Sequence, residues 1–235
     1  VLASAFSLLG VLAWRLTGEE RERARLRQMF GRYVSDSVVD ALLESGKRPE
    51  LGGQSQVMTV LFSDIRNFTT ISEHLTAKEV VEMLNTYFER ACAPLLAEGG
   101  SIDKFIGDAI MVEFGSPLPL PDHAQRALRA AVALRAVAEE FAGWMAQRFP
   151  ERKLPEVAIG IGVHSGEAVI GNIGSPARME FTAIGDTVNL ASRLEGATKE
   201  MGCVILASEA CVQAAGTMVL CGRSEVISVK GRRAA

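Results

Sequence analysis

Two aspartates in this 235-residue chain stand where a carboxylate is expensive. Asp64 follows the apolar run Val57–Ser63 (VMTVLFS) and precedes Ile65-Arg66-Asn67-Phe68-Thr69, where a helix should begin. Asp108 lies within KFIGDAIMVEFG, between two apolar strand patterns, with Gly107 allowing a tight turn. Taken singly, each aspartate reads as a turn or cap residue. Taken together, if their strands are neighbours, the two carboxylates reach one point, and unpaired charges flanked by apolar strand residues are costly. Paired carboxylates that hold two Mg²⁺ ions serve phosphoryl-transfer chemistry: one metal lowers the pKa of an attacking hydroxyl and the other neutralises a triphosphate. The backbone N–H groups after Asp64 suit a phosphate at a helix start.

A third feature is GDTVNLASRLEG, residues 185–196. Asp186 is placed to cap a helix. Asn189 and Arg193 are four apart and share one face, while Leu190 and Leu194 point to an adjacent, core-facing side. An amide and a guanidinium presented together suit a ribose and a developing phosphate charge, although the same spacing fits a solvated helix face. Ser63 and Ser165 lack an adjacent base, which argues against a nucleophilic serine. His74, His123 and His164 have no metal-ligand spacing and read as structural. Cys92, Cys203, Cys211 and Cys221 form no CxxC pair and read as reduced, mostly buried thiols.

The elements that must position these residues follow from periodicity. Val57–Ser63 reads as a buried strand and Thr76–Ala97 as an amphipathic helix. Ile102–Ile106 and Ala109–Phe114 read as strands joined at Gly107-Asp108. Pro121–Phe149 contains an Ala-rich helix entered at Asp122. Val157–His164 and Ala168–Ile173 are expected as a second hairpin around Ser165-Gly166. Asp186–Lys199 reads as a helix and Val226–Lys230 as a last strand. The order indicates an α+β domain with helices on one face of a mainly antiparallel sheet.

Hydrophobic content of 48% and charged content of 23% fit a globular core. A net charge of −3 offers no basic field for nucleic acid, so no nucleic-acid partner is expected. The chain opens at Val1 and reads as a fragment. Its first 14 residues carry no charge. As a helix they would span roughly 21 Å, short of a ~30 Å bilayer core, so they read as the end of a membrane helix. Arginines from Arg15 to Arg32 follow, which places what comes next on the cytoplasmic side. Leu26, Met29, Phe30, Tyr33 and Val34 form an apolar stripe of the kind that pairs with its own copy. The expected organisation is residues 1–16 as a membrane-helix end, 17–53 as a helical linker and 54–235 as the catalytic domain.

Three segments carry a resemblance. Phe62-Ser63-Asp64-Ile65-Arg66-Asn67-Phe68-Thr69, Lys104-Phe105-Ile106-Gly107-Asp108 and Gly185-Asp186-Thr187-Val188-Asn189-Leu190-Ala191-Ser192-Arg193 resemble the signature motifs of class III nucleotidyl cyclases, from about residue 56 onward. Phe30-Gly31-Arg32-Tyr33-Val34-Ser35 is similar to the helical transducer of membrane-anchored bacterial adenylate cyclases. The resemblance implies a ferredoxin-like, palm-type domain converting ATP to cyclic AMP and pyrophosphate with two Mg²⁺ or Mn²⁺ ions. It implies Asp64, Asp108 and the Ile65 carbonyl as metal ligands, and the backbone of Asn67, Phe68 and Thr69 as the phosphate cradle. Asn189 is implied to position the ribose, Arg193 to stabilise the pentavalent phosphorus, and Lys230 to bind the triphosphate. Lys104 and Thr182 match the positions that read the purine.

Lys104 can donate to adenine N1, and the Thr182 hydroxyl can accept from the 6-amino group. Guanine reverses both, and guanylate cyclases of the family resemble this pattern with Glu and Cys there. Thr182 departs from the Asp of many animal-type adenylate cyclases. In the family the metal aspartates come from one protomer and Lys104, Thr182, Asn189, Arg193 and Lys230 from the other, so a homodimer is implied. An upstream sensor and a location at the cell membrane, with the catalytic domain in the cytoplasm, are further expectations. A guanylate cyclase is opposed by Lys104, and a diguanylate cyclase by the lack of its Gly-Gly-acidic loop. A catalytically dead dimerisation module should have lost a metal Asp, the Asn or the Arg. A membrane-linked scaffold leaves the paired aspartates unexplained. The chain ends soon after Lys230, short of the final strand that the family pattern leads one to expect.

Overall fold

The computed structural model describes residues 50–219 and 221–227. The expected membrane-helix end, nearly all of the helical linker and Lys230 lie outside these residues. Among the described residues no helix is long and apolar enough to cross a membrane.

Chain order gives β1 (Gly52–Ile65), α1 (Phe68–Glu73), α2 (Ala77–Ala97), β2 (Ser101–Ile106), β3 (Ala109–Phe114), α3 (His123–Arg148), β4 (Ile159–Ser175), β5 (Arg178–Ile184), α4 (Asp186–Met201), β6 (Ile205–Ala207) and α5 (Glu209–Ala215). The sheet runs β2-β3-β1-β4-β5 with antiparallel neighbours, and β6 pairs parallel to β4. Thr76 and Glu79 form a complete capping box that starts α2.

Side-chain alternation on β1 builds two cores. Leu61 and Ile65 pack with Met83, Tyr87 and Leu95 of α2 and with Leu134 and Phe141 of α3. Met58, Val60 and Phe62 point the other way, toward Met111, Ile170, Ala183 and Ala191. Helices therefore cover both faces, not one: α2 and α3 cover the first, and α4 covers the second.

The expected hairpin around Ser165-Gly166 is absent. β4 is one strand, paired with β1 without interruption from Gly52↔Asn172 to Ile65↔Ile159. Gly166 is there for contact rather than for a turn, since a Cβ on it would sit 2.7 Å from Thr187 Oγ1. Gly162 has the same logic: a Cβ would meet Glu195 N at 2.2 Å and Ala191 O at 2.3 Å. Small residues let α4 lie directly on β4. The turn falls later, and Ser175↔Arg178 closes the β4–β5 hairpin.

Other details also differ. α4 is capped by Gly185, with Asp186 its first residue. Val226 and Ile227 form no strand. All four cysteines are free thiols, but only Cys211 is fully buried; Cys92 and Cys203 are half-buried and Cys221 is exposed.

Candidate functional site

β1 and β3 bring the two aspartates together. Ser63 pairs with Ile110, so the next residue of β1, Asp64, lies beside the β2–β3 turn that carries Asp108. Gly107 holds that turn at φ +66°. The Ile65 N–H donates to Asp108 Oδ2 at 3.2 Å and to Asp64 Oδ1 at 3.0 Å. Burial, followed by the hydrogen bond and charge of Asp64, pushes the Asp108 carboxyl up to about 7. Burial and the Asp64 charge likewise raise Glu195 to about 7.

Crowded carboxylates of this kind fit a divalent cation, whose charge removes their repulsion. Among the described residues no group of three or more His, Cys, Asp or Glu could hold a metal ion. The side chains therefore supply two hard oxygen donors, which is the sparse set Mg²⁺ takes when phosphates and water complete its shell.

Beyond Ile65 the chain turns sharply. Asn67 is left-handed (φ 58°) and caps α1 without a side-chain hydrogen bond. The first intrahelical bond runs from Ile71 N to Asn67 O. The amides of Phe68 and Thr69 precede it and have no intrahelical acceptor.

A second cluster joins β2 to β5. Lys104 Nζ donates to Glu180 Oε2 at 2.7 Å and lies 3.5 Å from Asp103 Oδ1. The Thr182 hydroxyl donates to Asp103 Oδ2 at 2.5 Å. Glu113 accepts from Ala183 N at 2.9 Å, and burial with the charge of Asp103 pushes its carboxyl up to about 8. The two expected purine readers thus sit together. Asp103, Glu113 and Glu180 around them escaped the sequence reading. The signal for Asp103 is a β-bulge, which no sequence pattern announces.

On α4, Asn189 is exposed and Arg193 half-buried. Among the described residues Arg193 makes no ion pair or side-chain hydrogen bond. No hydrogen bond or ion pair among these residues joins the Lys104–Thr182 cluster to the Asp64–Asp108 cluster.

Residues 53–235 match the model of the adenylate and guanylate cyclase catalytic domain. "Adenylate cyclase 1" of Rhizobium meliloti is 39% identical over 206 residues, which is 88% of this chain and 30% of that protein. The chain thus spans about a third of that relative's length. The guanylyl cyclase Cya2 superposes with a TM-score of 0.70 at 34% identity, covering 78% of this chain and 90% of that one. The adenylyl cyclase CyaB from P. aeruginosa gives 0.68 at 34% identity, covering 77% and 91%.

Proposed function

The chain belongs to the adenylate and guanylate cyclase catalytic domain family, and on that premise we propose that it converts ATP to 3′,5′-cyclic AMP and pyrophosphate. The observation that carries the reaction class is the convergence of Asp108 on Asp64 across the end of β1. Structural similarity to an adenylyl and to a guanylyl cyclase is nearly equal, so the choice of base rests on Lys104 and Thr182.

In this reading Asp64, Asp108 and the Ile65 carbonyl hold two divalent ions, Mg²⁺ or Mn²⁺. Such ions, when bound, acidify the 3′-hydroxyl and neutralise the triphosphate. The amides from Asn67 to Thr69 hold the terminal phosphates, helped by Lys230. Asn189 positions the ribose. Arg193, which has no partner of its own among the described residues, offers its guanidinium to the charge that develops at phosphorus. Lys104 donates to adenine N1, and Thr182 accepts from the 6-amino group.

The site is assembled from two copies of the chain, the metal carboxylates from one and the purine readers with α4 from the other. Support comes from the separateness of the two clusters and from exposed Phe105, Ile106 and Ile184 next to them in the chain. The uncharged run 1–14 with its basic flank supports anchorage at the cell membrane, with the catalytic domain in the cytoplasm under an upstream sensor.

The test is incubation of the purified chain with ATP and Mg²⁺ or Mn²⁺, assayed for cyclic AMP and pyrophosphate in equal amounts. Asp108→Asn is the control. Equal production by the variant, or ADP and phosphate in place of the cyclic product, would overturn the reading.

A further inference from the structure

The purine readers are backed by two buried acids that the proposed reaction does not use. Asp103 has a side chain only 1% exposed, and Glu113 is 2% exposed. Buried carboxylates side by side are costly unless something is gained from them.

The register of β2 explains how Asp103 comes to be there. Between Ile102↔Val112 and Lys104↔Met111 the pairing with β3 shifts by one residue, leaving Asp103 as the extra residue of a bulge. A regular strand would send Asp103 and Lys104 to opposite faces. The bulge lets both reach β5, Asp103 at Thr182 and Lys104 at Glu180.

The hydrogen bonds fix a direction. Thr182 Oγ1 is 2.5 Å from Asp103 Oδ2 and 3.4 Å from the Ala183 carbonyl. A hydroxyl has one proton, and the shorter contact to a carboxylate takes it. What remains on Thr182 is lone pairs. The other oxygen, Asp103 Oδ1, is buried without a hydrogen-bond partner and faces Lys104 Nζ at 3.5 Å. Glu113 completes the arrangement by holding Ala183 N, so the backbone beside Thr182 is fixed as well.

We propose that Asp103 is a positioning residue for base choice: it takes the Thr182 proton, so that Thr182 can only accept from the purine, while Asp103 and Glu180 together hold Lys104 as the donor beside it. This inference rests on the reading of Lys104 and Thr182 as the purine-contacting pair. Adenine, with an acceptor at N1 and a donor at its 6-amino group, matches both. Guanine O6 would face the Thr182 lone pairs, and its N1–H would face an ammonium. With Asp103 gone, the Thr182 hydroxyl is free to turn and donate.

The experiment measures kcat/KM for ATP and for GTP in wild type, Asp103→Ala, Asp103→Asn, Thr182→Val and the double variant Asp103→Ala/Thr182→Val. Displacement of a fluorescent ATP analogue by ATP and by GTP gives a readout free of turnover, and a melting curve for each variant reports folding. Asp103→Ala is expected to lower the ATP-over-GTP ratio by roughly tenfold or more, mainly through the KM for ATP. Asp103→Asn keeps an acceptor oxygen for Thr182 and retains most of the preference. In the Thr182→Val background, Asp103→Ala should change the ratio by clearly less than it does in wild type, because the route through Thr182 is already cut and only the hold on Lys104, which Glu180 shares, remains. Asp103→Leu, which keeps nearly the shape of the aspartate but offers no acceptor, makes the same cut if Asp103→Ala folds poorly, and should lower the ratio alike. A wild-type ratio in folded Asp103→Ala, or additive losses in the double variant, would overturn the role of Asp103 alone. A wild-type chain with no preference for ATP would overturn that role together with the adenylate reading.

Discussion

The Ile65 N–H donates to Asp108 Oδ2 at 3.2 Å, although 43 residues separate the two in the chain. This bond fastens the β2–β3 turn to the end of β1 and leaves two carboxylates facing one point. Most of what the domain is expected to do depends on that placement.

The first consequence is a separation of activity from stability at Asp108. Burial and the neighbouring Asp64 both disfavour a charge on this carboxyl. Asp108→Asn should cost more than ~100-fold in cyclase rate while leaving the metal-free melting temperature unchanged or higher. The rise in melting temperature that Mn²⁺ gives the wild type should vanish in the variant. Differential scanning fluorimetry with and without Mn²⁺, beside a rate assay, checks both parts.

Glu113 should make the chain less stable as pH rises. Its ordinary value is 4.5, and burial with the Asp103 charge raises it to about 8 in the folded chain. The folded state keeps a proton that the unfolded state releases. The stabilisation is therefore complete below about 4.5 and is lost as pH climbs to about 8. Glu113→Gln keeps an acceptor for Ala183 N and carries no charge. Melting temperatures between these limits should fall by at least about 5 °C more in wild type than in the variant.

If each site draws on two chains, two inactive variants should complement one another. Asp64→Asn removes a metal ligand, and Arg193→Ala removes a transition-state contact. Each alone should fall by ~100-fold or more. Mixed and allowed to exchange, they should recover about a quarter of wild-type activity, because half the dimers would carry one intact site of two. Recovery that stays at the level of the separate variants would place each site within a single chain.

Gly162 tests the seat of α4. A Cβ there would meet the backbone of Glu195 and Ala191 well inside contact distance. Gly162→Ala should destabilise the domain by about 3 kcal/mol and reduce activity through Asn189 and Arg193, which ride on that helix. Urea unfolding followed by circular dichroism gives the number.

How far the sequence could be read varied with the kind of signal. The capping box at Thr76 and Glu79 and the Ile106-Gly107-Asp108-Ala109 turn are local patterns, and α2 and the β2–β3 hairpin follow them. Ser165-Gly166 looks local in the same way, yet Gly166 answers to Thr187 of a helix 20 residues on, so β4 runs straight through it. β5 (RMEFTAI) is charged and exposed at its start and was missed. Asp64 and Asp108 could be found because carboxylates among apolar strand residues stand out. Asp103 could not, because its partnership with Thr182 exists only once a bulge has turned it and β4 has carried β5 back across the sheet.

The most direct test of the central claim supplies ATP and GTP together at equal concentration with Mn²⁺ and separates the products by chromatography. The arrangement of Lys104 and Thr182 predicts cyclic AMP in large excess over cyclic GMP, with pyrophosphate matching their sum. Cyclic GMP in equal or greater amount, or no cyclic product from a chain shown to be dimeric, would contradict it.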